Sequence, residues 1–134
     1  MAHQLYRGFP VKGTMYPGYN KLQSIEANLI DASMTLTNMY GRNGELRETR
    51  RPIERIQDGI KYLERAASLI EPEQKRRPDY RLLYGQIQAM IKAMKMFQRQ
   101  WGKEGVLKRY IRVAETIQRV LVEKTYRKIA MASR

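Results

Sequence analysis

Residues 81–101 read RLLYGQIQAMIKAMKMFQRQW. Leu83, Ile87, Met90, Met94, Phe97 and Trp101 recur at spacings of 4, 3, 4, 3 and 4. That is the period of a helix burying one stripe, so the stretch predicts an amphipathic helix with a core-facing seam. With Arg81 set at zero and about 100° per residue, Lys92 falls at about 20°, Lys95 at about 320° and Arg99 at about 0°, opposite a seam centred at about 200°. Gln88 joins these cations, and no acid follows Asp79 on this helix. Like charges three and four residues apart cost roughly 0.2–0.5 kcal/mol per pair in water. The stretch therefore raises the question of where its counter-charge lies.

The same period organises the rest of the chain beyond residue 20. Leu22, Ile25, Leu29, Ala32, Leu36 and Met39 predict a first helix over 21–40, stopped by Gly41-Arg42-Asn43-Gly44 with its Asn-Gly turn signal. Ile53, Ile56, Ile60, Leu63, Ala67 and Ile70 predict a second over 46–70, which Pro52 must start or kink because it lacks a donor. The loop EPEQKRRPDY follows, with Pro78 suited to the first turn of the third helix. Gly102 and Gly105 bracket a turn, and Leu107, Tyr110, Ala114, Ile117 and Leu121, widened by Val113 and Val120, predict a fourth helix over 104–131. No stretch alternates with period two for long enough to read as a strand. The expectation is an all-α, four-helix bundle-like domain over 21–134. Residues 1–20 carry Gly8, Gly13, Gly18, Pro10, Pro17, Tyr6, Tyr16 and Tyr19 with neither period, and read as an extended arm.

Composition narrows the chemistry. The 134 residues suit one domain, and there is no cysteine, so disulfides, thiolate metal sites and cysteine nucleophiles drop out. No apolar run approaches the roughly 18 residues of a membrane span, and MAHQLYRGFPVKG lacks the apolar stretch of a secretory signal, so a soluble protein is expected. His3 is the only histidine and lies in the arm. No phosphate loop, nucleophile elbow or di-metal carboxylate–histidine pattern occurs. The expectation is a protein that is not an enzyme, with no metal, no cofactor and no small-molecule substrate.

Charge is the strongest compositional signal. Lys plus Arg number 26 against 13 Asp plus Glu, a net +13. Residues 77–134 hold 14 bases and 4 acids, whereas 21–44 are neutral and 45–76 carry +1. The second helix interleaves Glu54, Asp58 and Glu64 with Arg55, Lys61 and Arg65; the third does not. On the fourth, Lys108, Arg109, Arg112, Arg119 and Arg127, followed by Lys128, share the outer face with Glu115 and Glu123. Consecutive basic helices can form one surface, and such asymmetry points to a polyanionic partner. The candidate nucleic-acid-binding residues are Arg81, Lys92, Lys95, Arg99, Lys108, Arg109, Arg112, Arg119, Arg127 and Lys128, with Arg7 and Lys12 from the arm.

Duplex DNA carries one charge per about 1.7 Å, so 13 charges match at most roughly six base pairs. That is the scale of a subunit coating a duplex. Base reading is disfavoured because no short helix is presented alone to a groove, and RNA because the aromatics form no stacking platform. Arm tyrosines read instead as contacts to a neighbouring subunit. The arm, with Arg7 and Lys12, can span up to about 65 Å when extended.

A Gly/Pro-rich arm ahead of a basic, cysteine-free helical bundle resembles the major coat proteins of filamentous and rod-shaped archaeal viruses. The resemblance is architectural, covers the arm and the helices of 21–132, and rests on no residue motif. It implies a virion protein that pairs with itself or with a sister coat protein, stacks helically and wraps double-stranded DNA held in A-form. Leu5-Tyr6-Arg7 also matches the tripeptide of the mitochondrial LYR proteins, although Gly8-Phe9-Pro10 would break the helix in which that family carries it. That match implies a small basic helical subunit of a large respiratory assembly; a ribosomal subunit would use the same cations. A monomeric regulator binding DNA by sequence is a third reading.

Overall fold

Asn20 starts the first helix by a reciprocal cap. Its side-chain oxygen accepts from the Gln23 backbone N–H at 2.8 Å, and the Gln23 side chain accepts from the Asn20 N–H at 3.0 Å. In the computed structural model, which describes residues 15–47 and 51–133, helix α1 spans Lys21–Thr37. Helix α2 spans Pro52–Gln74 and α3 spans Pro78–Gln100, each opened by a proline in its first turn, where the missing N–H costs nothing. Helix α4, Val106–Thr116, runs without a break through a π-helical segment, Ile117–Tyr126, into α5, Arg127–Ala132. These last three form one C-terminal rod. The described residues hold no strand beyond an isolated Tyr40–Leu46 bridge, so the fold is all-α.

The helices pack up-down-up-down. Lys21 meets Glu73, Gln98 donates to the Ile53 carbonyl, and Tyr126 donates to the Leu22 carbonyl, so neighbouring helices run antiparallel. Helix α1 packs on α2 and the rod, and α3 does the same, which leaves α1 and α3 on a diagonal. Tyr110 is the hub of the upper core. Fully buried, it donates to the Leu36 carbonyl at 2.6 Å and meets the rings of Phe97, Trp101 and Tyr40 edge-on. At Gly59 the backbones of α1 and α2 close up: a Cβ there would lie 2.4 Å from a Leu36 methyl.

Four features differ from those expected. Helix α1 ends at Thr37 rather than residue 40, because Met39 and Tyr40 join a tight loop in which Arg47 N–H bonds the Met39 carbonyl and Gly44 takes φ +79°. Helix α2 begins at Pro52 rather than 46 and continues through Pro72 to Gln74, since a proline in the last turn forfeits only one backbone bond. Residues 15–20, read from sequence as the end of the arm, pack on the bundle. Tyr16 is buried, takes the Ser24 hydroxyl on its N–H, donates its own hydroxyl to Asp31, and lies with Tyr62 beside the buried Arg65 guanidinium. Tyr19 stacks on Tyr16 at 5.6 Å. Both tyrosines thus have partners within their own chain, and Tyr19 stays 47% exposed. His3, Leu5-Tyr6-Arg7 and Lys12 lie outside the described residues.

The fourth difference is the register of the rod. An α-helix continuing Tyr110, Ala114, Ile117 and Leu121 would next turn positions 124, 125 and 128 inward, burying Lys124 and Lys128. A π turn takes up more residues, and the phase slips. Leu121 and Val122, then Thr125 and Tyr126, then Ile129 are buried, while Lys124 and Lys128 stay exposed. At the start of the rod, Val106 rather than Leu107 takes the inner position.

Candidate nucleic-acid interface

All ten candidate cations between Arg81 and Lys128 are exposed. Three of them have partners within the chain. The Arg81 guanidinium folds back on the end of α2, donating to the Gln74 carbonyl at 3.2 Å and the Lys75 carbonyl at 3.3 Å. It caps a helix C-terminus, where a cation is favoured. Lys95 lies 3.9 Å from Glu64 of α2, and Arg109 donates to the Gln100 side chain at 3.5 Å. The other seven, Lys92, Arg99, Lys108, Arg112, Arg119, Arg127 and Lys128, have no hydrogen bond or ion pair among the described residues. Arg7 and Lys12 lie outside those residues.

The opening question thus has a partial answer inside the chain. Glu64 meets one α3 cation across the α2–α3 seam, and the only other α3 ion pair among the described residues joins Asp79 to Arg77 just ahead of the helix. The two rod acids are engaged by neutral groups: Tyr40 donates to Glu115 at 3.4 Å and Gln118 to Glu123 at 3.1 Å. Burial, and then the Glu115 carboxylate beside it, push the Tyr40 hydroxyl up to about 12.

Helices α3 and α4 are joined by a five-residue turn and pack side by side, with Trp101 against Tyr110, so their outer faces adjoin. The register slip changes which rod residues share a line. It carries Arg127 round the rod, away from Arg109 and Arg112, and brings Lys124 and Lys128 into line with Arg112. Sequence reading missed Lys124, and also Lys103 in the turn, both exposed. The doublets Leu121-Val122 and Thr125-Tyr126 were the signal available: two adjacent uncharged positions repeating every four residues fit a widened helix.

Among the described residues there is no cluster of three or more metal-ligating side chains, and no helix is long and apolar enough to cross a membrane. Comparison of the chain with protein-family models, curated proteins and solved structures finds no match.

Proposed function

We propose that this chain is a structural coat protein that assembles helically and wraps double-stranded DNA through sequence-independent phosphate contacts. The observation that carries the reading is unbalanced charge on two adjoining helices. From Arg81 to Lys128 a single ion pair, Lys95–Glu64, occurs among the described residues, and nine exposed cations there, seven of them candidate residues, stand without a side-chain partner among those residues. Phosphates held at these positions relieve the mutual repulsion and release condensed counterions, the main source of sequence-independent affinity. Arg81 serves α2 rather than phosphate.

The test is the salt dependence of duplex binding for the variant Lys92→Gln/Arg99→Gln/Arg112→Gln/Arg119→Gln. All four side chains are exposed, so each change shifts stability by about 0.5 kcal/mol or less. Each phosphate contact contributes about 0.9 to the slope of log K against log salt, so the variant's slope is expected to be shallower by about 3–4. Arg81→Gln is expected to leave the slope unchanged. A variant slope equal to that of the unmodified chain rules out α3 and the rod as the interface.

A further inference from the structure

Between α3 and the rod lies an apolar groove of about 280 Å³, lined by Gln86, Ala89, Ala93, Val113, Thr116 and Val120. The small side chains Ala89 and Ala93 leave it open. The Gln86 side-chain oxygen is buried there without a hydrogen-bond partner. One turn beyond these lining positions along the two helices stand Arg109, Arg112 and Lys124, with Lys92 beside Ala93; α3 supplies no acid after Asp79.

Helix α1 presents the complementary surface. Met34 on its outer face is 63% exposed, with half-buried Ala27 and Ile30 on the same stripe. Glu26 flanks that stripe on the rod side, close enough to raise the Tyr126 pKa, and Asp31 flanks it on the side of Tyr16. The helix has one cation, Lys21, and Glu73 pairs with it at 3.5 Å. An apolar knob between two acids faces outward on one side of the bundle. An apolar groove between cations faces outward on another.

We infer that the α3–rod groove receives the outer face of α1 from a second copy of this chain, with Met34 entering between Ala89 and Val120. The charges on the two surfaces are opposite in sign, acids on α1 and cations at the groove. Because α1 and α3 lie on a diagonal, no chain can fill its own groove. Donor and acceptor are different patches, so the contact is heterologous and propagates head to tail instead of closing a two-fold dimer. This deepens the coat reading and rests on it for the polyanion that offsets the +13 charge of each copy.

The chain has no cysteine, so two introduced ones report only on each other. Met34→Cys and Ala89→Cys both alter exposed positions, and a disulfide forms only where the two backbones come close. Under mild oxidation, with and without a short duplex, the double variant is expected to give a ladder of covalent oligomers on a non-reducing gel. Each single variant is expected to lose the ladder, and their mixture to stop at a dimer. Met34→Cys dimers formed as readily as the mixed dimer, or no ladder in either condition, overturns the inference. Duplex binding followed by gel shift on the same samples is read separately: a ladder without binding leaves the contact standing and removes the coat reading, and binding without a ladder does the reverse.

Discussion

Two glycines in helices show how neighbours decide the sign of one substitution. Alanine in a helix interior is favoured over glycine by roughly 0.5–1 kcal/mol. At Gly85 nothing lies within 4 Å of an added Cβ, so Gly85→Ala is expected to stabilise by about that amount. At Gly59 the same methyl would press on Leu36, all of whose outer carbons lie closer than 3 Å. Overpacking of this kind costs about 1–3 kcal/mol, so Gly59→Ala is expected to destabilise on balance. Urea midpoints of the two variants, moving in opposite directions, check this. Tyrosine hydroxyls set the alkaline limit. Burial, followed by Glu26, pushes Tyr126 from 10.0 up to about 12, matching Tyr40. A pKa raised by folding means the native state holds its proton more tightly. That stability is complete below about pH 10 and is lost as pH rises through 12. The urea midpoint is therefore expected to fall between pH 10 and 12. Tyr126→Phe, which also gives up the bond to the Leu22 carbonyl, is expected to start lower and to fall less steeply over that window. An equally steep fall would contradict the assignment.

The π-helical segment is the element that most changes the reading of the molecule. It decides that Ile129 is buried and Lys124 is not. Ile129→Ala is therefore expected to cost about 2–4 kcal/mol, and Lys124→Ala at most about 0.5 kcal/mol, by chemical denaturation. A straight α register reverses the order. Helices α1, α2 and α3 were legible because each carries a stripe at constant period, bounded by asparagine, proline or glycine. The stripe of the fourth was legible only as far as Leu121, because a wheel drawn at one angular step cannot represent a helix that changes its pitch. The same limitation put Arg127 with Arg112 in the expected basic face and omitted Lys124. Pairwise partners were out of reach for a different reason. Glu64 beside Lys95, and the α2 carbonyls taken by Arg81, depend on how two helices dock, which no single-helix pattern encodes. The exposure of the cations was legible, because charged side chains opposite a seam have nowhere else to go. Tyr16 misled for a related reason: its Gly/Pro-rich surroundings look unstructured, yet a buried arginine and Asp31 await it on the bundle.

At the scale of the molecule the bundle has two electrical halves. Residues 21–76 are nearly neutral, with α1 acidic on its outer side; residues 77–134 carry +10. On the proposed coat reading both halves have a use: the basic half would hold phosphate, and the acidic face of one copy would meet the cation-bordered groove of the next. The measurement that bears most directly on this is the affinity of the unmodified chain for two duplexes of unrelated sequence across a range of salt concentrations. If the seven unpartnered candidate cations contact phosphate, log K is expected to fall with log salt at a slope of about −6, alike for both sequences, with binding cooperative as sites fill. A slope near zero, or a preference for one sequence of about 10³-fold or more, contradicts the account.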